Sequence, residues 1–118
     1  MSDDLIAFMR AQLDEDERVA READPAWHRR IVSELADRAL YGIHKQVRHL
    51  AVWEPGRVLA EVDAKRQVMD LHPTVPEDWA TDIAGDCRTC SEPAPCKTVR
   101  VLALPYADRP GYREEWRP

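Results

Sequence analysis

All three cysteines of this chain, Cys87, Cys90 and Cys96, fall within one short stretch, DCRTCSEPAPC. Their spacing is C-x2-C-x5-C. Two thiolates separated by two residues turn inward from one tight loop, at the reach a tetrahedral ion needs. Cys96 follows Pro95 at the predicted start of a helix, where free amides and the helix dipole favour its thiolate. A fourth donor must come from elsewhere. His72 stands where a predicted helix ends, and the loop after it returns the chain to the cysteines. His72, Cys87, Cys90 and Cys96 therefore form a candidate Cys3His metal site. His49 and His44 are alternatives for the fourth position, and Asp86 is a poorer one, because a carboxylate suits a thiolate-rich site less well. Zn2+ is the expected ion, with an iron–sulfur cluster as the alternative. Four protein donors leave no open position for water, so the zinc would be structural. The plain readings set against a metal are free surface thiols or a Cys87–Cys90 disulfide.

No other constellation points to catalysis. His28, His44 and His49 lie on or beside a predicted helix with no nucleophile or carboxylate at a spacing that would make a base and its partner. His44 and His49 are five apart, which is not the i, i+4 pairing of a helical metal site. Four scattered glycines cannot build a phosphate loop. DEDER and REEW read as solvated helix faces. The expectation is a non-catalytic protein.

The elements that must position the cysteines follow from periodicity. Leu5, Phe8, Met9, Leu13 and Val19 recur at helical spacing after Ser2-Asp3-Asp4, which predicts a helix over roughly 3–22. Asp24-Pro25 is a stop and restart, with Asp as N-cap and Pro at the first helical position. A second helix then carries Trp27, Ile31, Leu35, Ala39, Ile43, Val47 and Leu50, and is expected to run through Gly42 to about residue 50. Pro55 biases Glu54 away from the helical region. A third helix over about 55–72 gathers Val58, Leu59, Val62, Met69 and His72 on one face. The stretch 72–86 reads as loop with a helical turn at 76–82, and a short fourth helix is expected at 96–104. The tail, PYADRPGYREEWRP, reads as an irregular, aromatic and proline-rich wrap. Trp27, Trp53, Trp79 and Trp116 fall one per segment, as core anchors would. Tyr106, Tyr112 and Trp116 offer an alternative as a partner-binding strip.

Composition bounds the rest. A chain of 118 residues is one domain, 1–118, by the usual size, with a modest core that a metal staple would help. Charged residues make up 33 % and hydrophobic ones 44 %, which favours a helical protein with charged outer faces. No apolar run reaches the ~20 residues needed to span a bilayer. The acidic start, MSDDLIAFMR, is unlike a basic signal peptide. The expected location is the cytoplasm, where clustered thiols stay reduced and serve metals more often than disulfides. The net charge of −5 is unevenly spread: residues 1–24 are acidic, while 25–50 carry Arg29, Arg30, Arg38, Lys45 and Arg48 against Glu34 and Asp37. An acidic first helix beside a basic second one is the simplest use of this pattern. Nucleic-acid binding through five interrupted bases is the weaker alternative.

Two resemblances add to this. DLIAFMRAQLDEDERVAREA, EPGRVLAEVDAKRQVMDLH and LALPYADRPGYREEWRP resemble a small actinobacterial family of uncharacterised proteins, a domain of unknown function, over nearly the whole chain. That resemblance implies a class and a lineage without an activity. Separately, the spacing of Cys87, Cys90 and Cys96 is similar to the last three ligands of the WhiB-like transcription factors. This implies a 4Fe–4S cluster, sigma-factor binding and redox-sensing or DNA-binding regulation. The upstream fourth cysteine of that family is absent here, so His72 would stand in. Its Gly-Val-Trp-Gly-Gly turn and basic C-terminal segment are absent too.

The expectation is thus an all-α domain of three helices and a short fourth, stapled by a Cys3His zinc site, acting as an interaction or regulatory module. Its expected partner is another protein.

Overall fold

The structure is a computed structural model, described over residues 2–37 and 43–118. Among the described residues there are five α-helices: α1 (Ser2–Glu22), α2 (Pro25–Asp37), α3 (Ile43–Val52), α4 (Pro55–Asp70) and α5 (Lys97–Ala103). Short 3-10 turns follow at Leu104–Tyr106 and Glu114–Trp116. Among the described residues there is no strand, only two isolated bridges, Thr74 with Cys87 and Asp86 with Pro93. No helix of the described residues is long and apolar enough to cross a membrane.

The same device starts α2 and α4, an acid followed by proline. Asp24 Oδ1 accepts the Ala26 amide at 2.9 Å, and Pro25 takes the position where no amide donor is needed. Glu54 does the equivalent for α4, accepting the Gly56 and Arg57 amides at 3.2 and 2.8 Å. Gly56 makes room for this, since a Cβ there would lie 2.8 Å from Glu54 Oε1.

The chain divides into two compact units, one built from residues 1–14 and 64–118 and the other from 15–63. Among the described residues, the first unit holds most of the buried side chains. Leu5, Met9 and Leu13 of α1, Met69 of α4, Val99 and Ala103 of α5, and Val75, Tyr106 and Trp116 are all buried. The tail wraps α1. Phe8 meets Trp116 at 5.3 Å and Tyr112 at 5.9 Å between ring centroids, and Tyr112 and Trp116 contact each other edge-on at 5.6 Å. Polar ties run alongside: Arg113 Nη1 to Asp4 Oδ2 at 2.9 Å and Arg109 Nη1 to Gln12 Oε1 at 3.1 Å. Gly111, at φ +94°, lets the tail turn over the Phe8 ring.

In the second unit, Ala20, Val47 and Val62 are buried. Ala20 rather than Val19 extends the α1 stripe, because it lies seven residues beyond Leu13 and so returns to the same face. Val19 is exposed. α2 and α3 are separate helices that lie against each other, not one rod over 25–50. The His28 ring nitrogen reaches the Leu50 carbonyl at 3.1 Å, a contact that a continuous helix would forbid by holding the two residues ~33 Å apart. The expected passage through Gly42, with Ala39 on the stripe, lies outside the described residues, as does Arg38.

Two further expectations are corrected. Of the four tryptophans only Trp116 is buried, while Trp27, Trp53 and Trp79 are about half exposed. Trp53 and Trp79 instead carry guanidinium groups on their faces, Arg57 at 4.6 Å and Arg88 at 5.3 Å. The stretch 72–86 is loop as expected, but the helical turn at 76–82 is only a run of turns, in which the Trp79 amide donates to the Pro76 carbonyl at 3.2 Å. Three acids of α1 have cations on that same helix, with Glu15 and Glu22 held by Arg18 and Glu17 by Arg21. Asp14, nearer the start, pairs with Arg66 of α4 at 2.7 Å.

Candidate metal centre

The chain brings His72 to the cysteines in a few short steps. α4 ends at Asp70, and the His72 amide closes one further turn onto the Met69 carbonyl at 3.0 Å. Pro73 then forces the backbone to extend. Residues 73–75 run beside 86–88: the Val75 amide donates to the Asp86 carbonyl at 2.7 Å, and the Arg88 amide donates to the Pro73 carbonyl at 2.8 Å. Gly85, at φ +84°, allows the turn that sets up this pairing, and its amide donates to the Val75 carbonyl at 2.8 Å. The C-x-x-C turn then folds on itself. The Ser91 amide donates to the Cys87 carbonyl at 2.9 Å, Ser91 sits at φ +59°, and the Cys87 amide donates to the Glu92 carbonyl at 2.7 Å. Cys96 occupies the residue just before α5, in extended conformation, and its carbonyl accepts the Arg100 amide at 3.1 Å.

The result is a convergence of four donors. His72 Nδ1 lies 3.3 Å from Cys90 Sγ and 3.6 Å from both Cys87 Sγ and Cys96 Sγ. All four ligand atoms lie within 4.8 Å of one another. Nitrogen and sulfur donors around one tetrahedral zinc, at ~2.0 and ~2.3 Å from it, stand about 3.6 Å apart. The group thus has the spacing of a metal shell. Cys87 and Cys96 are each 1 % exposed, while Cys90 and His72 are partly exposed.

Among the described residues, two of the other proposed fourth ligands are not part of this group. His49 belongs to the second unit, its ring 6.3 Å from Trp53. Asp86 uses its backbone in the pairing with Val75 and does not join the converging set. The His44 side chain lies outside the described residues.

The family comparison bears on the whole of this. The model of a family of unknown function, DUF6221, matches residues 2–118. The chain belongs to that family. No curated protein and no solved structure matches it. Membership in DUF6221 therefore gives a class without an activity, and the chemistry has to be read from the donors themselves.

Electrostatically the three thiols of this DUF6221 chain are not equivalent. Burial works against ionising Cys87, but the amides of Cys90 and Thr89 and the His72 ring outweigh it and bring the thiol down to about 7. Burial pushes Cys90 the other way, reinforced by the neighbouring Cys96 and only partly offset by Thr98, up to about 11. One sulfur is prepared as a thiolate while its neighbour resists becoming a second. A cation among them removes that conflict, because each thiolate then faces positive charge.

Several supporting residues carry no signal that the cysteine spacing could reveal. The Thr89 hydroxyl donates to the Leu71 carbonyl, and Thr98 Oγ1 stands 4.0 Å from Cys90 Sγ. Val75, at 1 % exposed, is buried in the same unit. The β-branched pair Thr74-Val75 between two prolines is the one sequence feature that could have marked an extended segment there.

Proposed function

We propose that this chain is a non-catalytic zinc-binding protein whose metal staples the first unit and leaves the remainder free to engage partners. The observation that carries this reading is the placement of His72 Nδ1 3.3–3.6 Å from three cysteine sulfurs. Four protein donors fill a tetrahedral shell, which favours a structural ion over a catalytic one that must keep a position open. The ligands join the end of α4 to the start of α5, so the ion substitutes for apolar packing in a small core. Thiols kept for a metal suit a reducing compartment, and we place the protein in the cytoplasm on that ground. The exposed tryptophans Trp27, Trp53 and Trp79 support a role in binding another protein.

The WhiB-like alternative, an iron–sulfur regulator, rests on the spacing of Cys87, Cys90 and Cys96. The convergence favours a single ion over it. Cubane ligands must reach four separate irons and so stand further apart than 4.8 Å.

Elemental analysis together with melting decides between these. The expected result is colourless protein holding one zinc per chain, with a melting transition that falls sharply when a chelator removes the ion. Metal binding is folding free energy when the site does not pre-exist in the unfolded chain. Brown protein containing iron and acid-labile sulfide overturns zinc, and a melting curve indifferent to chelation overturns the staple.

A further inference from the structure

We infer that the chain forms an antiparallel homodimer through α2. None of the residues of α2 is buried, although the helix is amphipathic. Its apolar arc runs Trp27, Ile31 and Leu35 at i, i+4 spacing, with Val32 and His28 alongside. α3 lies against α2, where the His28 ring nitrogen reaches the Leu50 carbonyl at 3.1 Å. Trp27 is left 52 % exposed and Leu35 39 %. Leu50, at the same end of the hairpin as Trp27, adds a further 45 % exposed side chain to the patch. An apolar helical face of this kind marks a surface that is covered in the working protein.

The charges say what covers it. α2 has no acid in its first turn and no base in its last. Its bases, Arg29 and Arg30, come first, and its acids, Glu34 and Asp37, come last. That order opposes the helix dipole, which prefers acids at the start and bases at the end. It also matches a second copy of itself running the other way. In an antiparallel pair centred near Ile31, Trp27 of one copy meets Leu35 of the other. Arg30, exposed beside the apolar stripe, then comes alongside Glu34 of the partner copy, and the two-fold axis repeats the contact. Each helix start also lies beside the other's end, so the misplaced charges meet dipole ends that suit them. A partner of uniform charge would satisfy one half of the helix and repel the other. The self-complementary order favours a second copy. One stripe plus Leu50 is a small interface, so the affinity falls in the range of about 10–100 micromolar.

These residues lie in the unit built from 15–63, away in sequence from all four metal donors. The dimer and the metal site therefore fail separately. The test is sedimentation equilibrium of the full-length chain across about 5–300 micromolar, with zinc content and circular dichroism read on every sample. Wild type is expected to shift from monomer to dimer over that range. R30E sets acid against acid at both contacts, and E34R sets base against base. Each alone raises the dissociation constant by about tenfold or more. Mixing R30E with E34R restores Arg–Glu at both contacts and should recover association as a mixed dimer. I31D, at the centre, gives monomer with unchanged zinc and helicity. Wild type that stays monomeric at 300 micromolar, or charge variants that associate like wild type, overturns the proposal. Failure of the two reversals to rescue each other overturns the antiparallel register. Loss of helicity in I31D leaves R30E and E34R, both solvent-facing, to decide the matter.

Discussion

The Thr89 hydroxyl donates a hydrogen bond to the carbonyl of Leu71, fastening the middle of the C-x-x-C turn to the residue just before His72. Neither residue is a ligand. The bond nonetheless fixes the distance between the helix end that presents the imidazole and the turn that presents two of the sulfurs.

Thr89→Val keeps the shape of the side chain and removes the donor. Residues that position ligands typically cost 10–100-fold in metal affinity when changed. Thr89→Val is expected to weaken zinc binding about tenfold in competition with a chromophoric chelator, and Thr89→Ser should restore most of the loss. Equal affinities for Val and Ser would show that the hydroxyl does not set the geometry.

Metal uptake should release protons in a pH-dependent number. Cys87 titrates at about 7 in the metal-free protein, so below that pH its proton is still bound and must leave when a metal arrives. Above it the thiolate is already formed. Cys90, raised to about 11, contributes its proton at either pH. Calorimetry in buffers of different ionisation enthalpy should find more protons released at pH 6 than at pH 8, and Cys87→Ser should shrink that difference. In stability without metal the two thiols oppose each other. The lowered Cys87 stabilises the fold above pH 9, and this is lost as the pH falls through 7. The raised Cys90 stabilises it below pH 9, and this is lost as the pH rises through 11.

Trp116 separates packing from hydrogen bonding. It is buried against Phe8 and Tyr112, yet its ring nitrogen has no hydrogen-bond partner. Trp116→Ala should cost about 3–5 kcal/mol in urea unfolding, in line with other large-to-small changes at buried aromatics. Trp116→Phe removes the unsatisfied donor along with part of the ring, so its cost should stay below about 1.5 kcal/mol. Similar losses for both would show that the nitrogen is satisfied in solution.

The parts of the molecule that follow a period were legible in the sequence. Leu5, Met9 and Leu13 specify the buried face of α1, and Asp24-Pro25 marks the start of α2 by a local device that tertiary contacts do not alter. The convergence of Cys87, Cys90, Cys96 and His72 was legible because metal chemistry tolerates few residue types and spacings. What escaped depends on contacts far apart in sequence. A stripe from Trp27 to Leu50 looks the same whether it lies on one long helix or on two that fold back, since both keep the 3.6-residue period. The tryptophans misled for a related reason. An indole can anchor a core or carry an arginine on its face, as Trp53 and Trp79 do, and composition does not separate the two. The pairing of Val75 with Asp86 was hidden as well, because it is built from backbone groups that every residue has.

The bond between Asp4 and Arg113 has a consequence for how the protein is made. A ribosome delivers α1 before the tail, so Phe8 waits for Tyr112 and Trp116 to cover it. Residues 15–63 emerge in full and can close on themselves meanwhile. The candidate donors at 72–96 come next, ahead of the tail. The Phe8 side of α1 is thus made well before the residues that shield it.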